Sequence, residues 1–327
     1  MTVKTRILGL FERSRELTVK EITDKLGASK QMIHNVLRQL VDDHVIEKLG
    51  RTPKTVYRVA QKKLSEDDPA YDVSDDKKEF LKKNFLAVTE TGNLLEGIEA
   101  FDNWCKQRKL PLQKTISEFI QTKNKYSPYY DKSGNVNGLE KLKNTKGYDK
   151  IWLDDLCYLD FYAIERFGKT RLGTLLHYAK QGQNKFLMDL MMNEIAARMR
   201  SFVEMHKADA VAFVPPTIRR ELQLMKFMQT RLNFSLPVID IKKLSGIIPV
   251  PQKSLAKLDE RSRNAENTFA VTDPRRFKNV VLIDDAVGSG ATINQLAGKM
   301  KAKETARKVT GLAVVGSFKG FDVITDV

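Results

Sequence analysis

Residues 280–293 read VVLIDDAVGSGATI: four apolar residues, two adjacent carboxylates, a short loop with two glycines, and a threonine where a helix can begin. Gly288 and Gly290 admit dihedrals and close approaches that a Cβ forbids, so successive N–H groups can face one concavity. A helix N-terminus behind the loop favours an anion there, and the hydroxyls of Ser289 and Thr292 can donate to phosphate oxygens. Asp284 and Asp285 would repel a bare anion, but they suit a place where sugar hydroxyls donate to them. The string therefore points to a phosphorylated sugar. Two other phosphate loops fit worse. A Walker loop needs Gly-Lys-Ser/Thr where this chain has Gly-Ala-Thr, and the dinucleotide fingerprint fails because GSG is followed by ATI.

Such a loop needs a strand before it and a helix after it. The apolar runs at 210–214, 236–241, 280–283 and 311–315 lack period-two alternation, as strands buried on both faces of a parallel sheet do. Ile293, Leu296, Ala297 and Met300 mark a helix between the last two runs. This is a β-α-β layout, whose ligands bind outside the carboxyl ends of the strands.

The whole string resembles the phosphoribosyl pyrophosphate (PRPP) fingerprint of the type I phosphoribosyltransferases. The resemblance implies that Asp284 and Asp285 hold the ribose 2′ and 3′ hydroxyls. It implies that the backbone of Ala286, Val287, Gly288, Ser289, Gly290 and Ala291, with the Ser289 and Thr292 hydroxyls, holds the 5′-phosphate. Mg²⁺ would ride mainly on pyrophosphate and ribose oxygens, because it keeps most of its waters and needs few protein ligands. Within the superfamily, residues 172–315 look most like the ComF group. DAVAFVPPTIRR at 209–220 matches its strand, proline turn and paired arginines, and Gln252, Leu255, Arg261, Asn264 and Phe269 follow its spacing with one extra residue after Leu255. This implies a pyrophosphate turn at Pro215, Pro216 and Thr217 with Arg219 or Arg220 near it. A mobile loop carrying Lys253, Arg261 and Arg263 would close over it and exclude water. The chain departs from ComF in three places: no cysteine zinc ribbon opens it, LQLMKFMQT replaces the Arg-Gly-Phe-Asn-Gln run, and Gly288 and Ser289 replace two threonines.

Residues 1–60 read as a separate unit. Helical apolar spacing runs from Val3 to Glu12, Thr18 with Glu21 has the form of a capping box, and Ser29 can cap a third helix after Gly27. That helix buries Ile33, Val36, Leu37, Leu40 and Val41 and turns Gln31, Asn35 and Arg38 to solvent. VIEKL and TVYRV then form a hairpin with a basic tip at Arg51 and Lys54. The arrangement resembles a winged helix-turn-helix. That implies base contacts from Gln31, Asn35 and Arg38, and phosphate contacts from Arg51 and Lys54. Residues 61–75 read as a linker and 76–145 as a helical middle region, with Phe80, Phe85, Leu94, Leu95, Ile98, Phe101 and Trp104 in its core. Residues 146–327 complete an α/β phosphoribosyltransferase-type parallel-sheet domain. Its hood would draw on residues 126–180, with aromatics such as Tyr158, Phe161 and Tyr162.

Composition narrows the partners. The chain has 327 residues and a net charge of +15, which favours a polyanionic partner such as nucleic acid or a phosphorylated small molecule. Cys105 and Cys157 are the only cysteines and form no C-x-x-C pair, so neither a disulfide framework nor a cysteine zinc site is expected. With no signal-peptide pattern and no long apolar run, a cytoplasmic protein without a membrane partner is expected. Self-association is left open. Three functions follow from the resemblances: transfer or hydrolysis at the ribosyl C1 of PRPP or a related nucleotide, a PRPP-sensing transcriptional regulator, or an effector of retron-type phage defence.

Overall fold

Capping and apolar spacing build the first unit as the sequence implies. The computed structural model describes residues 3–11, 16–42, 45–50, 55–59, 71–145, 148, 150–216, 218, 220–244 and 268–317. The chain divides into two compact units, Met1–Asp72 and Val73–Val327. The first holds α1 (Val3–Phe11), α2 (Val19–Leu26), α3 (Lys30–Asp42) and an antiparallel hairpin of β1 (Ile46–Leu49) and β2 (Val56–Val59). Thr18 and Glu21 close the capping box of α2, and Gly27 ends that helix with φ 61°, where a side chain would be strained. Ile7, Ile22, Ile33, Leu37, Leu40, Ile46 and Tyr57 form the core, while Val36 and Val41 pack at its edge.

The second unit opens with α4 (Asp75–Asn84), β3 (Leu86–Val88), β4 (Leu94–Glu96), α5 (Gly97–Gln107) and α6 (Leu112–Tyr126). The expected all-helical stretch is thus interrupted by the β3–β4 hairpin. The Thr89–Asn93 turn forms it, with Thr89 N–H donating to the Asn93 carbonyl and Gly92 at φ 84°. Phe85 and Phe101 are fully buried, and Phe80, Leu94, Leu95, Ile98 and Trp104 are half-buried. Phe85, Phe101, Trp104 and Phe119 meet ring to ring, together with Phe167.

Next come β5 (Val136–Asn137), α7 (Leu139–Asn144), β6 (Asp155–Phe161), α8 (Arg171–Gln181), α9 (Lys185–Met205), β7 (Ala210–Phe213) and α10 (Leu224–Leu232). They are followed by β8 (Val238–Ile239), β9 (Ile241–Lys243), β10 (Phe269–Val271), β11 (Phe277–Val287), α11 (Ala291–Ala302) and β12 (Ala306–Gly316). Among the described residues, six strands form one sheet in the order β5-β6-β12-β11-β7-β8. All neighbours in it are parallel except β5, which runs antiparallel to β6.

The run at 236–241 splits into two strands. Asp240 takes its N–H to Asp273 and its carbonyl to Thr272, so β8 stays in the large sheet while β9 pairs with β10. Apolar residues of α8, α9 and α10, among them Leu175, Met188, Met191, Met199 and Met228, pack with Val281 and Ile283 of β11. Ile293, Leu296, Ala297 and Met300 of α11 are all buried, and Gly311 of β12 leaves room for the Ile293 side chain. No described helix is long and apolar enough to cross a membrane.

Candidate functional site

β7 ends beside Ile283 of β11, which itself runs on to Val287. Phe213 lies opposite Ile283, and the Val214 N–H donates to the Ile283 carbonyl at 2.9 Å. The turn carrying Pro215 and Pro216, both half-buried, therefore leaves the sheet beside Asp284. β11 runs past the two carboxylates to Val287, where Val287 still faces Gly316 of β12, so a strand rather than a loop holds the acidic pair.

Side chains alternate along a strand, which puts Asp285 on the face of Val281 and Ile283 and Asp284 on the other. Asp285 is 7% exposed and forms an ion pair with Lys180 of α8, Nζ to Oδ2 at 2.5 Å. Asp284 is half-buried, and its Oδ1 accepts the Asp285 N–H at 2.8 Å. Burial, and after it the Asp285 charge, push the Asp284 carboxyl up to about 7, against the pull of Lys180 and the N–H groups of Asp285 and Ala286.

Sequence reasoning missed Lys180. The spacing of Leu172, Leu175, Leu176 and Ala179 marks the buried stripe of α8 and puts Lys180 at its border, but nothing in it names Asp285 as the partner. The same helix end reaches the turn after β7. Gln181 Oε1 accepts from the Arg220 guanidinium at 2.9 Å, and Gln183 Oε1 accepts from the Leu222 N–H at 3.0 Å. Arg220 also lines an open cleft of about 1070 Å³ with Lys185, Lys226 and Phe227. Thr217, Arg219, Lys253, Arg261 and Arg263 lie outside the described residues.

The loop itself is tightly held. Ala286, Gly288 and Thr292 are half-buried, while Val287, Ser289, Gly290 and Ala291 are buried. Gly290 caps α11 at φ 87°, where a side chain would be strained, and it lies against the Leu142 Cδ1 methyl. Lys141 Nζ donates to the Gly288 carbonyl at 3.1 Å and to the Ser317 carbonyl, and the Tyr148 hydroxyl donates to the Ser289 carbonyl at 2.8 Å. Among the described residues the N–H groups of Ser289 and Gly290 meet no acceptor. These two donors stand at a helix N-terminus, where open N–H groups can take an anion, and the two carboxylates that precede them on β11 can accept from hydroxyl groups.

The aromatics of the expected hood region are core, as aromatics in such a stretch usually are. Tyr158 and Phe161 belong to β6, and Tyr162 follows it; all are buried, because β6 lies between β5 and β12 with packing on both faces. Tyr158 covers Gly138 and Gly316 so closely that neither has room for a Cβ. In the first unit, Gln31, Asn35 and Arg38 are exposed along α3, on the side away from Ile33, Leu37 and Leu40; Arg51 and Lys54 lie outside the described residues. Among the described residues no three His, Cys, Asp or Glu side chains gather as a metal cage. No protein-family model matches the sequence, and no curated protein matches it.

Proposed function

We propose that the second unit binds PRPP or a related ribosyl phosphate, and that the protein is a phosphoribosyltransferase-like enzyme acting at the ribosyl C1. The observation that carries this reading is the end of β11. There the carboxylates of Asp284 and Asp285, the open N–H groups of Ser289 and Gly290, and the turn after β7 share one rim of the sheet. In this reading the 5′-phosphate takes the two N–H groups and the Ser289 and Thr292 hydroxyls, and the ribose diol takes the carboxylates. Pyrophosphate lies toward Pro215, Pro216 and Arg220. Two carboxylates, one already facing Lys180, are too few for a protein cage but suit Mg²⁺ that takes its remaining ligands from pyrophosphate, ribose and water. No covalent nucleophile is needed, because positioning and charge stabilisation act on a cationic ribosyl centre.

The first unit supports a winged helix that grips nucleic acid, through three helices, a hairpin and the exposed Gln31, Asn35 and Arg38. A sensor that binds PRPP without turnover would use the same site. Incubation with PRPP and Mg²⁺ separates the two. Pyrophosphate release that Asp284→Asn and Asp285→Asn together abolish supports the enzyme; saturable binding without release supports the sensor. Absence of binding by calorimetry overturns both.

A further inference from the structure

We propose that α7 (Leu139–Asn144) and Tyr148 act as a strap that sets the anion-binding geometry of the 288–290 loop, with Lys141 and Tyr148 as its positioning residues. The inference rests on the phosphate reading above and names what makes the loop competent. In a trans peptide the C=O of one residue and the N–H of the next point in opposite directions. Lys141 holds the Gly288 carbonyl and Tyr148 holds the Ser289 carbonyl. The N–H groups of Ser289 and Gly290 are therefore turned to the side away from the strap. Neither of these two donors meets an acceptor among the described residues.

The strap is itself anchored. Leu142 is buried with its Cδ1 against Gly290, and Lys141 also holds the Ser317 carbonyl just beyond β12. Each peptide plane thus has a donor on its oxygen side and an open N–H on the other. A donor at the carbonyl polarises the peptide and makes its N–H a better donor, most strongly where the donor is the Lys141 ammonium. A loop without the strap would spend the same glycine freedom on many orientations of these planes. The ligand class that fits is a phosphate monoester, whose oxygens can take both N–H groups at once.

The test uses the full chain, with ribose 5-phosphate and inorganic phosphate as probes and ¹⁵N-resolved amide resonances of Ser289 and Gly290 as readout. In the wild type both resonances shift on titration. Tyr148→Phe removes one hydroxyl and is expected to weaken ribose 5-phosphate about tenfold and to suppress the Gly290 shift, with the melting temperature unchanged. Lys141→Met is expected to suppress the Ser289 shift, and Lys141→Arg to restore part of it. If Lys141→Met does not fold, Tyr148→Phe still decides. Variants that bind both probes as the wild type does, with the same amide shifts, overturn the strap alone. A wild type whose amides ignore both probes overturns the phosphate reading, and the strap with it.

Discussion

At the end of β11 two adjacent carboxylates live in different electrostatic surroundings. Asp285 faces the Lys180 ammonium, whereas Asp284 is pushed up to about 7 by burial and by its charged neighbour. The folded Asp284 holds its proton above the ordinary 3.8, so its favourable contribution is full below about 3.8 and is lost as pH rises through about 7. Asp284→Asn should therefore match the wild type in thermal unfolding near pH 4 and exceed it at pH 8, by at most about 4 kcal/mol. Equal stability at both pH values would refute this. In the ligand reading, ribosyl phosphate affinity should rise from pH 6 to pH 8, and Asp284→Asn should keep only the part that the phosphate's own ionisation contributes. Lys180→Met leaves Asp285 without its cation. Since the Lys180 side chain keeps 27% exposure, a loss of about 2–4 kcal/mol is expected in denaturant unfolding, at or below the range for a fully buried pair. Adding Asp285→Asn should recover part of it; strict additivity would mean that the pair does not couple.

Elements place these residues through a few clamps. Asn294, fully buried in α11, accepts the N–H of Trp152 at 2.7 Å and of Leu153 at 3.4 Å, and donates to the Lys150 carbonyl at 2.9 Å. One amide thus ties the approach to β6 onto the helix behind the loop. Asn294→Ala strands two N–H groups and a carbonyl, and about 2–4 kcal/mol of stability should be lost in chemical denaturation. A loss below about 0.5 kcal/mol would mean that water replaces the amide. The helix was readable from Ile293, Leu296, Ala297 and Met300, but the clamp was not, because its partners lie more than a hundred residues upstream. The β3–β4 hairpin escaped the helical reading for a related reason: each strand has three residues, too few for a period to declare itself.

Across the whole molecule, the net charge of +15 and the division into Met1–Asp72 and Val73–Val327 suit a protein that handles two kinds of phosphate in two places. If α3 reads duplex DNA, Arg38→Ala should weaken binding by about 1–3 kcal/mol in fluorescence anisotropy, and total affinity should fall steeply between 50 and 200 mM salt. Arg38→Ala should leave ribosyl phosphate binding unaltered, as Arg38 lies in the first unit and the proposed ribosyl phosphate residues in the second. Affinity that ignores both Arg38 and salt would remove α3 from any nucleic-acid role.

The sequence by itself determined the local grammar: the capping box at Thr18 and Glu21, the apolar stripes of α3 and α11, and a strand through 280–283 followed by two carboxylates and a glycine loop, although the strand extends past both carboxylates to Val287. These depend on neighbours a few residues apart, and residue type and spacing encode them directly. Tertiary structure alone decided that Lys180 neutralises Asp285 and that Lys141 and Tyr148 hold the loop carbonyls. Each of these joins segments 100 or more residues apart. Only the order β5-β6-β12-β11-β7-β8 brings those segments to one rim.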